Sequence, residues 1–390
     1  MSATPRATAP RGAAPLHDAL GGTPGRYSYD PRDYVVMEGH RDHTEMTRRR
    51  GDGDESPLAG AMLPMMIEGG YGVSIFVVGG DGDHHRDGDT RPLVGSLDVM
   101  DLCYEEVRKV PGASVVYDKG DLPAGPEPGR LRFILEIEGG RPFQEDYSSG
   151  RSLARRLHLF RTFYRLGMRH LHLAHNGRNE LADGHDADLT GGRLSPFGVA
   201  VVKEANRLGV TITLGHLSEP CWFHALEVSE QPVLCTHSNA TALVSHRRNV
   251  TDEQIRAVAR QGGVVGVHLW SPIQDPELPP LDELVGHVRY MADLVGPQYV
   301  GFGILNRDRS YLKWSASAGK DLVRTAEEPE GVSYHRGLEM FIERLDRAGF
   351  SQEEVRGILG ENYLRVFRHN LPTHSPRYWD YQEQGRGGSP

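Results

Sequence analysis

Short apolar runs recur along this chain, and each stops at a polar or ligand-type group. They are Tyr34–Met37, Gly72–Val78, Leu131–Ile137, Arg169–Ala174, Val210–Leu214, Pro232–Cys235, Gly263–Val267 and Tyr299–Gly303. Their lengths are those of buried strands. Segments with helical spacing lie between them. Ser152–Leu166 and Leu281–Leu294 carry apolar residues on one face, and Pro196–Leu208 stops at Gly209. Thr251-Asp252-Glu253-Gln254 is a capping box that opens a helix ending near Gly262, and Ser351-Gln352-Glu353-Glu354 opens a short C-terminal one. Parallel strands need long crossovers, so strands alternating with helices predict a parallel sheet. Eight of them predict an α/β fold closed into a (β/α)8 TIM barrel. A doubly wound open sheet is the alternative, but no G-x-G-x-x-G follows the first strand to support it.

The barrel is expected over residues 31–371, with a loosely ordered arm over 1–30 and an extended tail over 372–390. Tyr378, Trp379 and Tyr381 in that tail are candidates to dock on the body or on a second subunit. Residues 51–57 and 79–91 are rich in Gly, Asp and His and read as solvated loops, or as a lid whose His84, His85 or Asp87 faces substrate.

Composition narrows the partners. With 390 residues, 38% hydrophobic and 25% charged, the chain is long enough for one large barrel. A net charge of -9 argues against nucleic acid. No apolar run is long enough to span a membrane, and the Ala-, Pro- and Gly-rich start lacks a secretory core. Three scattered cysteines make no disulfide framework, so a cytoplasmic location is expected.

In a parallel barrel the residues just past each strand converge on one rim. That rim would gather His40, Asp42, Glu138, His175, His216, His237 and His268. Imidazole and carboxylate are the ligands that zinc and similar ions take. Residues i and i+2 of an extended segment face one way, so His40 and Asp42 are placed to bind one ion together. Any one of these residues alone reads as structural. Several strands ending in ligand types point to a metal site, and a carboxylate able to bridge suits two divalent ions.

These residues also resemble the membrane (renal) dipeptidase family, the M19 metallopeptidases of the amidohydrolase superfamily. The likeness runs from about Val35 to Asn370. Its D-G-H-N-D motif is met by Glu38-Gly39-His40-Arg41-Asp42, its E-G-G by Glu138-Gly139-Gly140, and its T-H-N by Ala174-His175-Asn176. D-L-S-H is met by Thr213-Leu214-Gly215-His216, and S-H-S-N-A by Thr236-His237-Ser238-Asn239-Ala240. R-R-N is intact at Arg247-Arg248-Asn249, and G-x-N-x-x-R-V at Gly360–Val366.

The resemblance implies two ions, with zinc expected. One would take His40, Asp42 and Glu138, the other Glu138, His216 and His237. His175 would stabilise the scissile-bond oxygen, and Arg248, with Asn239 nearby, would receive substrate. A dipeptide-like small molecule is the implied substrate, and a homodimer the implied assembly.

The likeness breaks at the eighth strand. The family's G-x-D-F-D-G supplies an aspartate as general acid/base, and here Gly301-Phe302-Gly303-Ile304-Leu305 puts a leucine there. General acid/base help contributes about 10²–10⁴-fold. Either Asp308 supplies the carboxylate from a shifted loop, or the metals run altered and even non-hydrolytic chemistry in a biosynthetic setting, or the protein is a non-catalytic ligand binder. His268, past the seventh strand, is a replacement acid/base or a packed rim residue.

Overall fold

The computed structural model describes residues 35–39, 63–68, 71–81, 92–125, 127–144, 152–268, 280–303, 334–375 and 377. Nine strands appear: β1 (Val35–Gly39), β2 (Tyr71–Gly80), β3 (Ala113–Val115), β4 (Leu131–Glu138), β5 (Met168–His172), β6 (Thr211–Thr213), β7 (Leu234–Cys235), β8 (Val264–Val267) and β9 (Val300–Phe302). Eight of them pair in parallel along one path, β1-β2-β4-β5-β6-β7-β8-β9, and each matches an expected run. The unexpected β3 pairs with β4 at the side. Sheet order follows chain order with helices in the crossovers, which is the (β/α)8 barrel architecture.

The expected helices form with small changes. Thr251 and Ser351 both close reciprocal capping boxes with Gln254 and Glu354. The segment read as one helix over Ser152–Leu166 is two, Leu153–Arg156 and His158–Arg165, broken at Leu157. Helices Leu63–Glu68, Pro92–Val107, Glu219–Val228, Tyr334–Arg347 and Asn362–Asn370 complete the described set. No described helix is long and apolar enough to cross a membrane.

Strand alternation divides the core in two. Outward residues of β4, namely Phe133, Leu135 and Ile137, pack with Phe160 and Phe163 of the surrounding helices. Inward residues Val73, Ile75, Ile134, Leu234 and Val264 cluster with Tyr363, Leu364 and Phe367 of the last helix, which plugs the barrel floor. Each such side chain contributes about 1.5–3 kcal/mol by burial. The Tyr363 hydroxyl donates to Thr236 O at 3.0 Å, and segment Gly357–Glu361 packs against both β1 and β9. Above that apolar floor the inward positions turn polar: Glu136 then Glu138 on β4, His170 then His172 on β5, Thr211 then Thr213 on β6. The chemistry is thereby confined to the C-terminal ends of the strands.

The start of the tail docks on the body. Pro372 O accepts from Lys119 N at 3.0 Å, and Arg377 donates to Asp121 at 2.7 Å. Residues 79–81 are buried at the end of β2, not solvated as read from composition. The arm over 1–30, the segments 51–57 and 82–91, the pair His40 and Asp42, Leu305, Asp308 and the aromatic tail residues lie outside the described residues.

Candidate metal centre

Glu138 is the last residue of β4 and fully buried. Its Oε1 lies 3.1 Å from His216 Nε2 and 4.0 Å from both His237 Nε2 and His175 Nε2. Ligand atoms of Glu138, His172, His216 and His237 all fall within 4.8 Å of one another.

The imidazoles are oriented from behind. His216 Nδ1 donates to Asn176 Oδ1 at 2.8 Å and His172 Nδ1 to the Glu136 carboxylate, while His237 Nδ1 lies 3.0 Å from the Thr236 hydroxyl. A proton held on Nδ1 leaves the lone pair on Nε2, the tautomer that ligates metal. The ligand nitrogens of His172, His216 and His237 converge on one point beside Glu138. His216 Nε2 and His237 Nε2 are only 2.8 Å apart, and two lone pairs at that distance repel unless a cation or a proton stands between them. Burial first, and then the Arg248 guanidinium, push His216 and His237 far below the ordinary histidine range, so both are neutral. Neutral nitrogen donors beside one carboxylate are a set that zinc and similar first-row ions take.

His216 is held at a backbone cost. Its φ is 68°, and among the described residues it is the one non-glycine in the left-handed region. Strain of this kind persists where surrounding structure imposes it. Here His216 O accepts from His185 N at 2.7 Å while the ring is tied to Asn176.

Asp81, just past β2, ties three strand ends together. Its carboxylate accepts from Arg141 N at 2.8 Å, His175 N at 3.1 Å and Asn179 Nδ2 at 2.9 Å. Gly139 is required beside it, because a Cβ there would sit 2.2 Å from the Asp81 carboxyl carbon, and its φ is +107°. Burial pushes the Asp81 carboxyl up despite these donors. Below the centre, Glu136 also lies 2.9 Å from His170 Nδ1. Burial would raise Glu136, but the two imidazoles outweigh it and hold the carboxyl well below its usual range.

The expected residues separate into groups. Glu138, His216 and His237 meet at one point, with His175 beside them, its ring 4.3 Å from that of His216. Arg248 is buried there too and donates to His216 Nε2 at 3.1 Å. The His268 ring lies 5.4 Å from that of His237. Asn239 is fully buried and turned to the backbone of His268, donating to its O at 3.0 Å and accepting from its N at 2.9 Å. These contacts shape the wall of the site. Sequence reasoning missed His172, Glu136 and Asp81, and quoted Asn176 without assigning it a task.

The pattern of the membrane dipeptidases (peptidase family M19) matches residues 32–308. The chain belongs to this family. Membership makes it a metal-dependent hydrolase of dipeptidase type, and solved structures agree with the fold. A metallo peptidase from Rhodobacter sphaeroides, liganded with a phosphinate mimic of the dipeptide L-Ala-D-Ala, superposes with a TM-score of 0.67 at 19% identity, over 87% of this chain and 99% of that one. An amidohydrolase from Pseudomonas aeruginosa gives a TM-score of 0.65 at 19% identity, over 87% and 98%. Three of the residues expected to hold metal, Glu138, His216 and His237, are among those that converge in this M19 chain.

Proposed function

We propose that this M19 chain hydrolyses a C–N bond in a dipeptide or an amino-acid-derived conjugate, with two divalent ions, zinc by preference, held at the mouth of the barrel. Glu138, His216 and His237 would hold one ion, and His40 and Asp42 would join Glu138 on the other. Bound there, the ions supply an activated water and a polarised carbonyl. The protein's own groups do the rest. Glu138 would serve both ions, and its Oε1 stands among three imidazoles. His175 stands on the same rim, where a ring N–H stabilises charge developing on the scissile-bond oxygen. Arg248 reaches the same point with a planar fork suited to a substrate carboxylate. Burial of nearly every group in the cluster excludes water and strengthens each of these interactions.

The observation that carries this reading is the convergence of preset Nε2 lone pairs on a buried carboxylate. Its test is turnover of a dipeptide panel by metal-loaded protein. Release of free amino acids is expected, and no release with both ions bound would end the reading.

A second reading rests on Leu305, which stands where the family's acid/base aspartate belongs. Here the same centre serves altered, non-hydrolytic chemistry in a biosynthetic setting. Restoring the carboxylate with Leu305→Asp separates the two readings. A gain of about 10²–10⁴-fold in dipeptide hydrolysis favours the second. A native enzyme that already cleaves dipeptides well, and gains nothing, removes it.

A further inference from the structure

We propose that His172 is a fourth protein ligand of the ion held by Glu138, His216 and His237, and that Glu136 is its positioning residue. The inference rests on the metal-centre reading above and goes beyond its expected ligand set.

Strand geometry puts these residues together. Glu136 and Glu138 lie two apart on β4, His170 and His172 two apart on β5, and the register pairs Glu136 with His170 and Glu138 with His172. Both pairs therefore face the barrel interior, one layer above the other. His172 is fully buried, and its Nε2 has no hydrogen-bond partner. An orphaned ring nitrogen in such a place is costly unless something meets it. This nitrogen belongs to the ligand cluster, and the ring centroids lie 5.2 Å from His237 and 5.5 Å from His216.

Two further features prepare the ring. Glu136 accepts from Nδ1 and so fixes the proton on the far side. A carboxylate–histidine–metal arrangement of this kind orients the ring and strengthens its basicity. Opposite Nε2 the wall is Gly215, where a Cβ would lie 3.0 Å from His172 Nε2. A glycine there leaves the approach to Nε2 clear.

The consequence is chemical. Hydrolytic zinc sites keep a fourth position for water or substrate, whereas four protein ligands close a site. With His172 bound, the ion held by Glu138, His216 and His237 would have three histidines and one carboxylate and no open position. Substrate chemistry would then fall to the second ion of the proposed pair.

The test uses the intact protein loaded with cobalt(II). Ring N–H protons of cobalt-bound histidines give exchangeable, strongly shifted proton resonances. Ring N–H protons of His172, His216 and His237 should each give one, beside one from His40 on the second ion, so four are expected against three if His172 is not a ligand. His172→Gln should remove one resonance and weaken cobalt binding, measured by competition with a chelator, by about 10–100-fold. Glu136→Gln should keep all four resonances, displace one, and weaken binding in the same range. Wild-type protein that binds cobalt without a His172 resonance, or His172→Gln with unchanged affinity and spectrum, overturns the proposal and leaves the dipeptidase reading standing. Wild-type protein that takes up no metal overturns both. Circular dichroism of each variant checks folding, and the wild-type resonance count decides the matter even if a variant fails to fold.

Discussion

Removing the Asp81 carboxylate by Asp81→Ala should destabilise the protein and disturb the site together. The magnitude comes from its partners. Three donors point at this carboxylate: Arg141 N, His175 N and Asn179 Nδ2. Asn179 Nδ2 keeps a second acceptor, Leu173 O at 2.8 Å. Two backbone N–H groups in partly buried bonds, Arg141 N and His175 N, lose this acceptor. At about 1–3 kcal/mol each the gross loss is roughly 2–6 kcal/mol. Part of it is offset, because burying the carboxylate is itself costly and pushes its pKa up. A net loss of about 2–4 kcal/mol is expected. Asp81→Asn keeps one acceptor oxygen and should fall between. Urea unfolding of the metal-free protein measures both variants. Since His175 N is one of the orphaned groups, kcat should fall in Asp81→Ala more than KM rises. A variant within about 0.5 kcal/mol of wild type, the range of ordinary surface changes, would refute the reasoning.

Asn176→Ala removes the acceptor that fixes the His216 tautomer, and metal affinity should drop by about 10–100-fold in a chelator competition. Arg248→Met should raise KM for a dipeptide by roughly 30-fold or more and leave the corresponding dipeptide amide nearly unaffected, which steady-state kinetics would show. Stability should also fall with acidity through His185. Burial, with Arg248 and Arg247, pushes this imidazole down from 6.5 to about 3. The unfolded chain takes up the proton below about pH 6.5 and the folded protein only near pH 3, so stability is full above that window and declines as pH falls through it. At about 1.4 kcal/mol per pH unit this amounts to a few kcal/mol. His185→Asn should flatten the slope of unfolding free energy against pH over that window.

Much of this architecture was legible in the chain, for a definite reason. Buried parallel strands are short, apolar and followed by turns, so the eight barrel strands stood out from Val35 to Phe302. Helices with a clean face or a capping box, such as Asp252–Arg260, were equally plain. Pro92–Val107 was not, since it buries Ser96 and Glu106 alongside its apolar residues and shows no clear stripe. The ligands that end strands, Glu138, His216 and His237, were found by position. Glu136, His170 and His172 fall within the apolar runs Leu131–Ile137 and Arg169–Ala174, so a rule that takes only the residues past each run passes over them. The signal was present as alternation: Leu135-Glu136-Ile137-Glu138 and His170-Leu171-His172-Leu173 put polar groups on one face only. Asp81 was hidden by its Gly- and Asp-rich surroundings, which composition alone reads as solvent-facing. Its partners come from 60 to 98 residues away in sequence, so only the fold brings them to it.

The most direct test of the central claim is anomalous diffraction at the metal absorption edge from crystals of the intact protein grown with zinc. A zinc ion should lie about 2.0–2.2 Å from His216 Nε2, His237 Nε2 and a Glu138 oxygen. Crystals in which those three side chains bond only to one another or to water, with zinc bound elsewhere or not at all, would contradict the account.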